Sequence, residues 1–260
     1  RRRGFFLLAG HCEKTGRDER GGSDSQGQLT SIHWSLLLLV RRFSAESNHS
    51  REDWTARNTI PRHSKRSVVT TLRPFPALRP VGERARDVAA VPYDVVSTAE
   101  ARALAAGKPW SFLHVSRAEI DLPDGTDPYS DAVYRRAAEN FGRLSREAPL
   151  IRDPEPSVYL YRLKMNEHEQ TGIAATFSLD EYDSDVVRKH ERTRRDKEDD
   201  RTRHMVTLSA QTGPVFLTYR DRPEVDRLVA DAARREPIDD FTAEDGVAHT
   251  LWRLEPETAR

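Results

Sequence analysis

Charge is crowded between Val186 and Tyr219, where VVRKHERTRRDKEDDRTRHMVTLSAQTGPVFLTY interleaves acids, bases and two histidines between apolar segments. Arg188, Lys189, Arg192, Arg194, Arg195, Lys197, Arg201 and Arg203 make the stretch locally basic. Guanidinium groups offer forked donors and keep their charge, so the chemistry they suit is phosphate binding. A nucleotide, a phosphorylated metabolite or a nucleic-acid backbone would each satisfy them. For nucleic acid, aromatic residues should alternate with the bases, and none stands between Tyr182 and Phe216.

His190-Glu191 follows a strand-like run, and element ends are where sites are commonly mounted. Together with Asp199 it offers oxygens for a divalent cation; magnesium needs only one or two carboxylates beside substrate phosphates. The plainer alternative is a solvated strand end. Zinc does not fit, because no His-Glu-x-x-His motif occurs. On a helix beginning at Glu198, Asp200, His204, Thr207 and Gln211 share a face. A carboxylate one turn before a histidine orients it and raises its basicity, which suits general-base work; the rival is an exposed i,i+4 pair contributing about 0.3–0.5 kcal/mol. Tyr93-Asp94 follows Pro92 in a turn, where the aspartate either caps the next segment or faces a ligand. His114, amid Phe112, Leu113 and Val115, reads as a satisfied core histidine. The glycine-rich phosphate loops and the Gly-x-Ser-x-Gly elbow are absent.

These residues need a scaffold, and the chain has two compositional regimes. Residues 1–67 mix Arg, Ser, Gly and Asn without a sustained period and are expected to form a disordered or non-native leader, whereas apolar patterning begins near Val68. The first methionine is Met165, so Val68 or Val69 is a candidate start. Phe5 to Ala9 and Ile32 to Val40 are too short to span a bilayer, which takes about 20 apolar residues. Lys plus Arg and Asp plus Glu are 42 each, so no global field attracts nucleic acid or an anionic membrane. The single cysteine, Cys12, excludes an intrachain disulfide and a cysteine cluster for zinc, and a reducing cytoplasm suits it.

From residue 68 to 260 the pattern predicts one α+β domain, a mixed sheet with flanking helices. An edge strand at Val68–Leu72 leads into a proline-rigid loop, Arg73–Pro80. Brief strands are expected at Val88–Val91 and Phe112–Val115. Ser97 and Glu100 form a capping box for a helix that Gly107 stops. Val133, Ala137, Phe141 and Leu144 recur at helical spacing over residues 130–147. Val158–Lys164 and Thr171–Leu179 flank a polar turn as a hairpin. A strand at Val186–His190, a helix from Glu198 towards Gly213, a strand at Val215–Tyr219, a helix over Pro223–Arg235 and a strand at Val247–Leu254 complete the reading.

Arg73-Pro-Phe-Pro-Ala-Leu-Arg-Pro80, Val91-Pro-Tyr-Asp-Val95, Ser111-Phe-Leu-His-Val115, Lys189-His-Glu191, Asp196-Lys-Glu-Asp-Asp-Arg-Thr-Arg-His204 and Ala210-Gln-Thr-Gly-Pro214 occur in order. In these the chain resembles the bacterial family catalogued as domain of unknown function 1015, which is distantly similar to the ParB-like fold of sulfiredoxin and free serine kinases. The resemblance implies phosphoryl transfer from ATP or ADP, with magnesium, to a small hydroxy amino acid. On that hypothesis Arg188, Lys189, Arg201 and Arg203 would hold phosphates, Thr193 and Lys197 would bind substrate or phosphate, and Tyr93 and Asp94 would bind substrate. Glu191 and Asp199 would hold magnesium or accept the hydroxyl proton, beside His190 and His204. Family members continue into an Asp-Gly-His-His-Arg type motif, so an inactive fragment is expected. The rival expectation is a noncatalytic regulator or nucleic-acid-binding protein of the same fold; neutral net charge argues for a small-molecule substrate, with no nucleic acid and no membrane as partner.

Overall fold

The computed structural model describes residues 70–81, 84–148, 150–189, 193–220 and 222–254, together with the backbone of two strands nearer the N-terminus, β1 (Arg3–Ala9) and β2 (Arg41–Arg42). Apart from those strands, the leader predicted over residues 1–67 lies outside the described residues. So does the candidate start at Val68 or Val69.

Of the described residues of the edge strand expected over Val68–Leu72 only the last is in a strand: Thr70 and Thr71 are irregular, and β3 (Leu72–Arg73) pairs with the end of β7. The segment after it is more than a rigid loop: Phe75 bridges Ser157, and β4 (Leu78–Pro80) pairs antiparallel with β5 (Leu150–Arg152). At the centre lies the hairpin of β6 (Val158–Met165) and β7 (His168–Ser178), turned at Asn166 with a φ of 53°, a conformation asparagine tolerates. Pairing continues in the order β10-β11-β6-β7-β1-β9, where β9 is Val215–Thr218, β10 Asp239–Thr242 and β11 Ala248–Leu254. All the neighbouring pairs are antiparallel except β1 with β9, so the sheet is mixed. A two-residue strand, β8 (Ala210–Gln211), pairs with β2.

Alternation along β6 sends Tyr159, Tyr161 and Leu163 to one face, where they pack with Phe75, Ala77, Ala85 and Leu251. Leu160 faces the other way, against Trp252 and Ala232. Beside the sheet stand α1 (Ala85–Val88), α2 (Thr98–Ala105), α3 (Leu113–Ser116), α4 (Asp131–Glu147), α5 (Leu179–Asp183), α6 (Arg195–Leu208) and α7 (Pro223–Ala232). The predicted capping box is formed: Ser97 Oγ accepts from the Glu100 amide and Glu100 accepts from the Ser97 amide. Gly107 then takes a φ of 72° beyond the helix end. A second core joins Val133, Ala137, Phe141 and Leu144 of α4 to Val88, Phe112, Val115 and Leu208.

Three expected strands are absent. Phe112, Leu113 and Val115 are buried but coil into α3, and Val88 ends α1; a short, largely apolar run serves a helical turn as well as a strand. Residues 186–189 follow α5 as irregular chain, with Val187 buried. The helix expected from Glu198 starts a turn earlier and stops at Ser209, whose φ is 49°, so Gln211 leaves the face shared with Asp200 and His204. In α7 Ala232 is buried while Leu228 is 55% exposed, so the apolar side expected inside is only partly covered. Among the described residues no helix is long and apolar enough to cross a membrane.

Candidate functional site

The polar cluster sits where the N-terminal half of α6 meets the start of α4 and the turn at Tyr93-Asp94. Leu208 anchors α6 in the helical core, and that rotation turns Asp200 and His204 inward as well. Asp200 Oδ1 accepts a hydrogen bond of 2.5 Å from the Tyr134 hydroxyl. Its Oδ2 accepts from Arg201 Nε at 2.9 Å and Nη2 at 2.6 Å. The Arg201 guanidinium lies over the Tyr93 ring, 3.9 Å from its centroid. Burial raises the Tyr93 hydroxyl above its ordinary pKa, with Arg201 acting against that shift and Asp94 adding to it.

Arg203 stacks on Tyr134 at 4.0 Å, pairs with Asp131 and reaches the Tyr129 carbonyl at 3.4 Å. Lys197 Nζ donates to the Tyr129 hydroxyl at 2.7 Å, and that bond holds its pKa above the ordinary lysine value. Tyr93, Lys197, Arg201 and Arg203 are therefore brought together. Lys189 is tied instead to α5, donating to the Tyr182 carbonyl at 3.2 Å and lying over that ring at 4.2 Å. Asp94, Arg188, Thr193 and Asp199 are exposed. His190 and Glu191 lie outside the described residues.

His204 departs from the expected geometry. Its Nε2 faces the Val115 carbonyl at 3.0 Å, so that nitrogen carries the proton and the bond is structural. Burial pushes its pKa down to about 4, with Arg201 lowering it further; the Asp200 charge is too weak an influence to raise its basicity as the spacing suggested. His114 is satisfied, as expected: Nδ1 meets Asp121 at 2.9 Å and Nε2 the Lys108 carbonyl at 3.2 Å, beside a shallow cleft of about 370 Å³.

Tyr129, Tyr134 and Asp131 are participants to which sequence reasoning assigned no role, and Asp200, expected to serve His204, serves Arg201 and Tyr134 instead. Tyr134 carried a signal, since it directly follows Val133 on the buried side of α4 and a buried phenol requires a partner. Among the described residues no group of three or more His, Cys, Asp or Glu converges on a point where a metal ion would sit.

A second polar cluster lies under the sheet and was not anticipated. Asp153 accepts from Arg79 Nε and Nη2 at 3.1 and 3.0 Å and from the Tyr159 hydroxyl at 2.6 Å, with Arg253 at 3.6 Å. Asp239 approaches the same Arg79 only at 3.9 Å, and neither of its buried oxygens has a hydrogen bond among the described residues. Burial, with Asp153 adding to it, pushes the Asp239 carboxyl up to about 7. Nearby His249 bonds the Tyr161 hydroxyl through Nδ1 at 2.6 Å and stacks on Phe241, and burial lowers its pKa to about 4.

Comparison with known proteins returns one family model, described as Protein of unknown function (DUF1015), matching residues 72–259. No curated protein and no solved structure matches the chain. The match spans β3 to the end of the chain and includes both halves of the Tyr93–α6 cluster. This chain belongs to the DUF1015 family.

Proposed function

We propose that the Tyr93–α6 cluster binds the phosphates of ATP or ADP and that the protein is a nucleotide-dependent phosphotransferase acting on a small hydroxy amino acid, free serine being the first candidate. One observation carries the reading: two segments far apart in sequence, Val91–Val95 and Lys197–Arg203, meet so that a guanidinium lies flat on Tyr93 with further cations along the same helix. Phosphoryl transfer is mostly positioning and charge neutralisation, which forked cationic donors supply. Arg201, Arg203 and Lys197 would take phosphate oxygens, with exposed Arg188, Lys189 and Thr193 at the margin. Tyr93 and Asp94 would face the acceptor.

A magnesium ion would neutralise the phosphate charge. The donor set is compatible with one that arrives on the nucleotide, because Asp199 and Glu191 are enough when phosphates and water complete the shell. His204 is held neutral with Nε2 committed to Val115, so the hydroxyl proton falls to Asp199 or Glu191.

The test is to incubate the gene product with magnesium, ATP or ADP and free serine, and to assay phosphoserine by mass spectrometry. Product that disappears with Glu191→Gln and Asp199→Asn supports the reading and the two roles. No product with either nucleotide refutes it for serine. A salt titration separates a nucleic-acid ligand, whose backbone binding weakens steeply with ionic strength.

A further inference from the structure

Resting on the phosphate-binding reading, we infer that Asp200 and Tyr134 are positioning residues that fix Arg201 as the anion anchor of the site. A planar guanidinium is oriented when one edge and one face are both held. Asp200 Oδ2 holds the Nε–Nη2 edge at 2.9 and 2.6 Å, and Tyr93 holds the face at 3.9 Å. Asp200 is in turn held through its other oxygen by Tyr134, whose hydroxyl burial keeps above its ordinary pKa and therefore protonated as a donor. What remains is the Nη1–Nη2 end, and Nη1 has no hydrogen bond among the described residues. That end presents two parallel N–H donors, the geometry that a phosphate or carboxylate accepts.

Neighbouring cations differ. Arg203 spends Nη1 on the Tyr129 carbonyl and Nη2 on Asp131, and Lys197 is engaged by the Tyr129 hydroxyl. A ligand binding them must first displace those contacts, whereas Arg201 already stands in a binding orientation and loses little rotamer freedom on association. Asp200 has a second, opposing effect, because its negative charge partly neutralises Arg201. Positioning and neutralisation therefore predict opposite outcomes when the charge is removed and the shape kept.

The experiment is calorimetric titration of the 260-residue chain with inorganic phosphate and with magnesium-free ADP. Tyr134→Phe and Asp200→Asn should each weaken binding by about tenfold, the scale of a lost hydrogen bond to a charged group. Thermal midpoints of the ligand-free variants check that both remain folded. Arg201→Lys keeps the charge but loses the fork; in that background Tyr134→Phe should change affinity by less than about twofold, because coupled residues are non-additive. A merely structural role for Tyr134 would instead carry its full effect into the lysine background. Parent-like binding by Tyr134→Phe, or tighter binding by Asp200→Asn, would overturn the inference and leave the phosphate reading standing. A parent chain that binds neither phosphate nor ADP would overturn both.

Discussion

At the N-terminal half of α6, Asp200 has a donor on each oxygen, Tyr134 on one and Arg201 on the other, and the cation it organises is 30% exposed. Under the sheet, Asp153 and Asp239 share one buried arginine, and Asp153 takes nearly all of it. The first arrangement turns a buried charge into a rigid cation facing outward, which is what a ligand site requires. The second spends its charges on tying β4, β6, β10 and β11 to the chain just after β5, and leaves one carboxyl without a donor among the described residues. A buried acid thus orients a cation where each of its oxygens has a donor, and becomes a liability that titrates where a neighbouring acid takes the donors.

The comparison breaks first at Asp153. Asp153→Ala should destabilise the chain by about 3–5 kcal/mol in urea unfolding, because it removes the acceptor of the Arg79 guanidinium and of the buried Tyr159 hydroxyl and leaves Arg79 only the distant Asp239 carboxylate. A loss under about 1 kcal/mol would mean that the arginines escape to solvent and the cluster is not a brace.

Next come two opposite pH dependences. The Asp239 carboxyl is raised to about 7 in the folded chain from an ordinary 3.8, so the folded state holds its proton more tightly. That contribution is full below the unfolded value and is lost as pH rises towards 7. Asp239→Asn should therefore be more stable than the parent by about 2 kcal/mol at pH 8, with the advantage shrinking by pH 5. An equal difference at both pH values would show that Asp239 does not titrate there.

His204 has the reverse sign. Lowered from 6.5 to about 4, its neutral form contributes stability that is present above the unfolded value and lost as pH falls towards 4. His204→Gln retains a donor for the Val115 carbonyl and should remove about 1–2 kcal/mol of the parent's acid sensitivity between pH 7 and 5. If the acid limb is unchanged, His204 is not the group that charges there.

The smallest stability effect belongs to the site itself. Tyr93→Leu should cost no more than about 1 kcal/mol, the scale of a partly exposed cation–π contact, while weakening phosphate binding severalfold. A large stability loss would place Tyr93 in the brace class with Asp153.

Elements whose information is local were legible in the sequence. Helix α4 follows from the spacing of Val133, Ala137, Phe141 and Leu144, α2 from the Ser97–Glu100 box, and the β6–β7 hairpin from two β-rich runs around a polar turn. Strand β10 was not, since Asp239-Asp240-Phe241-Thr242 opens with two poor strand formers and becomes a strand by pairing with β11. Phe112, Leu113 and Val115 were legible as buried but not as helical, because a short apolar run does not carry enough residues to show a period.

At the site, the sequence by itself determined the stock of cations on α6, the turn at Tyr93-Asp94 and the helical face shared by Asp200 and His204, since each follows from composition or from a fixed 3.6-residue period. Only the tertiary structure decided between adjacent aspartates, burying Asp200 against Tyr134 and leaving Asp199 in solvent. The rotation of α6 is set by the packing of Leu208 against α4, and a rotation of about 100° per residue separates a buried charge from a solvated one. Tertiary packing likewise turned His204 from a base into a neutral donor, because burial outweighs the field of a carboxylate one turn away.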